Sequence, residues 1–277
     1  MDTKISIDTW VESFINFLTD NFEGLFEVIS VVLGSVVSTI SDGLLLIHPL
    51  VFIGLMTILA WKVSRWSVAV FTLFGLLLIV NLGYWEHAAY TIALVMTSVI
   101  ISIVFGLPLG IASATSKKFN NILTPILDFM QTMPAYIYLI PAIFFFGLGT
   151  VPGVFASVIF AMPPTIRMTS LGIRQISEEL IEAADAFGST SMQKLIQVQL
   201  PLAMPAIMAG INQSIMLSLS MVVIASMIGA PGLGTEVYRA ITQLKIGMGF
   251  EAGLSIVILA IVLDRLSQNI GQGQRRM

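Results

Sequence analysis

The chain has 277 residues, of which 56% are hydrophobic and 10% charged, with a formal net charge of −3. Soluble domains carry about 25% charged residues, so lipid is the solvent for most of this chain. With no cysteine and only His48 and His87, disulfides, thiolate sites and histidine-based metal centres are excluded, and the charge gives no reason to expect nucleic-acid binding.

The first 43 residues form a distinct segment. Met1–Lys4 lead into an acidic stretch, not a basic region followed by a short apolar run, which argues against a cleavable signal peptide. Thr9 and Glu12 have capping-box spacing. Trp10, Phe14, Phe17, Phe22, Leu25 and Ile29 then recur at helical intervals, opposite Asp8, Glu12, Asn16, Asp20, Glu23 and Glu27. This predicts an amphipathic helix. It either lies on the outer membrane surface or packs on the first spans with its acids in water. The run Val28–Ile40 is short and rich in Ser and Gly, so an eighth crossing there stays open.

About 20 apolar residues cross a bilayer as a helix. Seven spans are predicted, at 44–61, 66–83, 88–112, 125–148, 152–172, 202–229 and 251–267, within a membrane domain over 44–270 and ahead of a tail at 271–277. Pro163 and Pro164 interrupt the fifth span, which places it inside the bundle. Ten of the 13 basic residues fall on one side: Lys62, Arg65, Lys117, Lys118, Arg167, Arg174, Lys194, Arg265, Arg275 and Arg276. Lys4, Arg239 and Lys245 fall on the other. The positive-inside rule then puts the N-terminus outside and the C-terminus in the cytoplasm. Trp61 and Trp66 bracket an inner loop, and Tyr84 and Trp85 sit at an outer edge.

Between the fifth and sixth spans, 177–199 reads as helix, glycine turn, helix. Ser177 caps a helix whose first turn holds Glu178 and Glu179. Leu180, Ala183, Ala184 and Phe187 share a face, and Gly188 stops the helix. Thr190 and Gln193 make a second capping box, and the next helix, from Ser191 to Gln199, ends before Pro201. Ala183 and Ala184 offer a flat surface for close approach, and Glu182 and Asp185 offer anionic contacts. Such a cytoplasmic hairpin suits docking better than an ordinary loop on the membrane face.

The spacing E-A-A-x(3)-G-x(9)-V-x-L-P, from Glu182 to Pro201, resembles the cytoplasmic signature of ABC-importer permeases, with Val198 where that family usually has Ile. Residues 125–149, 162–174 and 221–234 extend the likeness to glycine betaine/proline betaine permeases of the ProU and OpuA type. The N-terminal segment is similar to the extra region of those permeases. The resemblance implies an all-α membrane fold of the MetI-like importer type. It implies that Glu182, Ala183, Ala184, Asp185, Phe187 and Gly188 seat a coupling hairpin in an ATPase subunit that holds ATP and Mg. It also implies an extracellular substrate-binding protein, a homodimer in the cell membrane, and uptake of a compatible solute for osmoprotection.

The sequence carries no engine of its own. It has no G-x-x-x-x-G-K-[ST] loop and no charge near a span centre, where one costs at least about 2.5 kcal/mol. Asp128 lies near the cytoplasmic edge of the fourth span, and Glu251 and Asp264 mark the ends of the last. This favours a transport subunit without its own ATPase site and bound cofactor over a secondary transporter, a channel or an intramembrane enzyme. Asn212, Gln213 and Ser218, near Ser214 and Ser220, are candidates for a polar path or for interhelical hydrogen bonds. Asp128 and Gln131 either face the path or pin the fourth span to a neighbour. Gly229, Pro231, Gly232 and Gly234 suggest an outer gate or a plain turn. Trp10, Trp61, Trp66 and Trp85 all fall outside the membrane centre, so no internal aromatic cage for a quaternary ammonium is indicated.

Overall fold

The computed structural model describes residues 6–272, and every regular element among them is helical. In chain order these are α1 (Ile7–Leu46), α2 (Pro49–Val63), α3 (Trp66–Asn81), α4 (Trp85–Thr115), α5 (Lys117–Thr132) and α6 (Leu139–Phe146). Then come α7 (Thr150–Arg174), α8 (Glu178–Ala186), α9 (Ser191–Gln193), α10 (Leu200–Ala225), α11 (Leu233–Thr242) and α12 (Ile246–Gln272). Among the described residues five helices are long and apolar enough to cross a membrane, starting at Asp8, Trp85, Thr150, Ser191 and Ile246. Lys4, Arg275 and Arg276, and most of the expected tail, lie outside the described residues.

α1 runs past the expected N-terminal boundary at residue 43. It starts at Ile7, ahead of the Thr9–Glu12 pattern, bends at Phe22 (φ −122°, ψ 21°) and continues through residue 43 to Leu46. At 1.5 Å per residue it is about 60 Å long. Its first half is mostly exposed, whereas Leu33, Val37 and Ser41 are buried. Phe26 stacks on Phe145 at 4.4 Å, and Leu33 and Val37 pack with Val99, Val154 and Val158. The span expected at 44–61 therefore starts later. Pro49 opens α2 at a position where its missing N–H costs nothing, and His48 Nδ1 accepts from Leu50 N–H at 3.4 Å.

The fourth predicted span, 125–148, is broken. α5 and the helical run Ala135–Phe146 meet at 108°. Pro134 forces Met133 out of the helical region (φ −68°, ψ 134°) and has no N–H for the carbonyl one turn back. That carbonyl, on Met130, accepts instead from the Tyr138 hydroxyl. The fifth span behaves oppositely. α7 runs unbroken through Pro163 and Pro164, and both prolines are buried.

α7 is the hub of the bundle. It is clasped by α4 and α10, where Gly110 and Gly210 let backbones approach: a Cβ on Gly110 would lie 2.8 Å from the Ile166 carbonyl oxygen, and one on Gly210 2.9 Å from that of Pro164. Thr165 and Ser214 join α7 to α10 by a buried hydroxyl pair at 2.8 Å. A second core packs α2 and α3 against α12 through Ile53, Leu76, Ile79, Leu259 and Val262. Contacts fix which ends coincide. The Arg174 guanidinium donates to the Ser113 carbonyl, and Asn269 bonds Ser64, so these loops share the end carrying α8 and α9. Gly149 N–H donates to the Ile228 carbonyl, and Tyr84 bonds Glu251, at the opposite end.

Candidate functional site: the α8–α10 hairpin and the polar side chains of the spans

The hairpin is built by local chemistry. Ser177 has the extended backbone of a cap (φ −60°, ψ 139°) but its hydroxyl makes no cap bond, so the expected Ser177 cap is one of backbone only. Glu178 and Glu179 in the first turn still favour the positive end of the helix dipole. Gly188 takes φ +74°, a conformation that costs side-chain-bearing residues about 1–2 kcal/mol. Its N–H donates to the Asp185 carbonyl at 2.9 Å, and the next N–H, of Ser189, reaches Ala184 at 3.1 Å. Those two bonds close a Schellman stop. Thr190 and Gln193 then form the capping box, at 3.3 Å and 2.8 Å.

The two arms are clamped. Lys194 Nζ lies 2.6 Å and 2.8 Å from the Asp185 carboxylate oxygens. Asp185, expected to offer an anionic contact, is tied across the hairpin and does not stand alone, with half of its side chain still exposed. Nor do the two alanines make one flat surface: Ala184 is buried, whereas Ala183 and Glu182 are exposed. Phe187 is 91% exposed, which is unusual for a phenyl ring at a polar helix end. The second arm does not stop before Pro201. A π-helical turn, Lys194–Gln199, carries it into α10, giving one helical run from Ser191 to Ile228. The wider turn bonds Leu200 N–H to Leu195, five residues back, and a widened turn relieves the ring-to-carbonyl clash that proline causes in a regular helix.

The candidate path residues separate in space. Ser218 is fully buried and its hydroxyl has no partner; Asn212 is half-buried with Oδ1 unpaired. Gln213 is exposed on another face of α10. Asp128 and Gln131 are exposed on α5, and Asp128 pairs with Arg167 of α7 at 2.5 Å. At the opposite end Gly229 is left-handed (φ +88°) and exposed, and Pro231 is half-buried. Gly232 and Gly234 are buried, and Leu233 N–H donates to Thr91 Oγ1 at 2.9 Å. Most of this loop is thus plugged into the bundle. Glu236, 4% exposed, follows it and lies 3.0 Å from Arg239 and 3.4 Å from His87. Burial, and then Glu251 and Glu236, push the Tyr84 phenol up from its ordinary value.

The sequence matches the family described as binding-protein-dependent transport system inner membrane component over residues 106–276, a stretch that includes the hairpin. The chain belongs to this family of membrane permeases. The permease is 57% identical to the glycine betaine transport system permease protein OpuAB of Bacillus subtilis, over 96% of this chain and 95% of that protein. It is 55% identical to the glycine betaine/carnitine transport permease protein GbuB of Listeria monocytogenes, over 95% of each chain. It is 46% identical to the glycine betaine/proline betaine permease ProW of Escherichia coli, over 99% of this chain and 77% of that one. Its fold resembles a chain of the inward-facing methionine ABC transporter MetNI, with a TM-score of 0.58 at 23% identity, over 67% of this permease and 91% of that chain.

Two side-chain partners in the permease emerge only in the fold. By charge Arg167 groups with the inner loops, although it sits within an apolar helix. A charge inside a span calls for a partner, and that signal was present. Lys194 had no such signal, because its partner depends on how tightly the glycine turn folds back.

Proposed function

We propose that this chain is the permease subunit of an ATP-driven importer for glycine betaine or a closely related compatible solute. The observation that carries the reading is near full-length identity of 57% and 55% to permeases whose names specify glycine betaine. The hairpin supplies the mechanism. Its exposed Glu182, Ala183 and Phe187 form a protrusion outside the spans, pre-shaped by the Gly188 stop and the Asp185–Lys194 clamp. α7 enters the hairpin and α10 leaves it, so a push on α8 is delivered to the two most tightly packed helices. An ATPase subunit holding ATP and Mg grips this protrusion from the cytoplasm. Closure of two ATPase subunits around two copies of the chain shifts the spans between inward-open and outward-open states. A binding protein delivers cargo at the opposite end, where Gly229 and Pro231 reach the surface. The N-terminus lies outside and the C-terminus in the cytoplasm.

The test is uptake of labelled glycine betaine by proteoliposomes holding the permease, its ATPase and its binding protein. Glu182→Lys and Gly188→Trp should each lower ATP-dependent uptake by about tenfold or more while the chain still inserts in the membrane. Unchanged uptake in both variants would remove the docking role from the hairpin. ATP-dependent uptake of another solute but not of glycine betaine would remove the cargo.

A further inference from the structure

Arg167 lies inside α7, about 10 Å from the end at Arg174 at 1.5 Å per residue. Its Nη2 meets Asp128 Oδ1 of α5 at 2.5 Å. The other ion pairs among the described residues sit at the ends of the bundle: Lys194 with Asp185 in the hairpin, and His87 and Arg239 with Glu236. Among the described residues, the Arg167–Asp128 pair alone joins two different helices away from those ends. A buried structural clamp is sealed from solvent and fully bonded. This pair is neither. The Asp128 side chain is 58% exposed and that of Arg167 36%. Arg167 Nε is buried with no hydrogen-bond partner, although the guanidinium fork has five donors. α5 itself buries only Leu127, and its far end is held through the Tyr138 hydroxyl on the Met130 carbonyl.

We propose that this pair is a station for a zwitterionic cargo bearing a quaternary ammonium and a carboxylate, and that the cargo opens the pair by replacing it. The carboxylate docks on the Arg167 fork and the ammonium faces Asp128, so α5 is freed from α7 as the cargo passes. The proposal rests on the betaine-import reading. The physical reason is charge balance. Pulling the pair apart leaves two opposite charges unpaired, one of them on a guanidinium whose Nε is already buried without a partner. A zwitterion completes both at once and adds no net charge. A simple cation or anion completes one and strands the other. Exposure of the pair keeps the site weak enough for the cargo to leave.

The experiment measures saturable binding of labelled glycine betaine to the purified permease–ATPase complex without binding protein. The competitors are choline, which keeps only the cation, and tert-butylacetate, which keeps only the carboxylate. Unlabelled glycine betaine should compete about tenfold better than either. The neutral double variant Asp128→Asn with Arg167→Gln should lose that preference. Arg167→Lys, which keeps the charge but not the fork, should show an intermediate preference and serves if the double variant does not fold. Absence of saturable binding to the unaltered complex, any preference left in the double variant, or the full preference retained in Arg167→Lys, would overturn the station. Uptake of glycine betaine by the complete importer is measured in parallel: if it persists while the station fails, the import reading stands, and if it is absent, the import reading itself fails.

Discussion

Gly110 leaves no space for a methyl group. A Cβ there would lie 2.6 Å from Thr169 Cβ as well as close to the Ile166 carbonyl, and backbone cannot give way as a flexible side chain can. Gly110→Ala should therefore cost about 1–3 kcal/mol, read as a lower unfolding temperature in detergent. Gly54 sits in α2 with open space around it. Gly54→Ala should instead be neutral or stabilising by about 0.5–1 kcal/mol, and a drop equal to that of Gly110→Ala would refute the close-packed seam. Ser218 is the reverse case, a buried hydroxyl without a partner. Ser218→Ala removes an unsatisfied group, so the unfolding temperature should hold or rise. A fall of more than about 1 kcal/mol would reveal a bond absent from this conformation. At this scale the sequence offered the residues but not their surroundings. Asn212, Gln213 and Ser218 look alike in the chain, yet Ser218 is buried, Asn212 half-buried and Gln213 exposed, because α10 meets neighbours on only part of its circumference.

At the scale of elements, the hairpin was legible where its chemistry is local. The glycine stop and the Thr190 capping box involve residues a few positions apart, and both form as read. The continuation through Pro201 was not legible, because a proline just after a helical segment ordinarily signals its end and widened turns are rare. The break at Pro134 was hidden for a similar reason: hydropathy over 125–148 does not register direction, and α5 and α6 are apolar enough together to imitate one span. The clamp between the hairpin arms gives a prediction. Asp185 is half exposed and Lys194 mostly covered, so Asp185→Ala should change global stability by no more than about 1 kcal/mol. Amide exchange in α8 should nevertheless quicken, because the arm loses its tie to the next helix. Exchange as slow as in the unaltered chain would show that the Schellman stop alone holds the arm.

The whole molecule has two ends with different chemistry. The α8–α9 hairpin shares its end with Ser64, Ser113 and Asn269, and the Gly229–Gly234 loop shares the other with Tyr84, Gly149 and Glu251. This arrangement agrees with the segregation of basic loops and makes orientation testable. The chain has no cysteine, so a single introduced thiol reports its side without background. Glu179→Cys should react with a membrane-impermeant maleimide only in inverted vesicles, and Gln243→Cys only in right-side-out ones. The reversed pattern would put the hairpin outside the cell and end its role as an ATPase seat.

What the sequence determined by itself follows from composition and short-range chemistry: a lipid-dissolved helical chain, the segregation of basic loops, and a helix–glycine–helix elbow between its two central spans. What the tertiary structure alone decided depends on residues far apart in the chain. Asp128 and Arg167 are drawn together only because α5 folds back along α7, and Leu33 and Val37 are buried only because α1 continues past its amphipathic half to meet α4 and α7. Periodicity shows which residues share a face of one helix, but which helix covers that face is set by packing, where glycine seams and proline breaks decide how closely and at what angle the spans can meet.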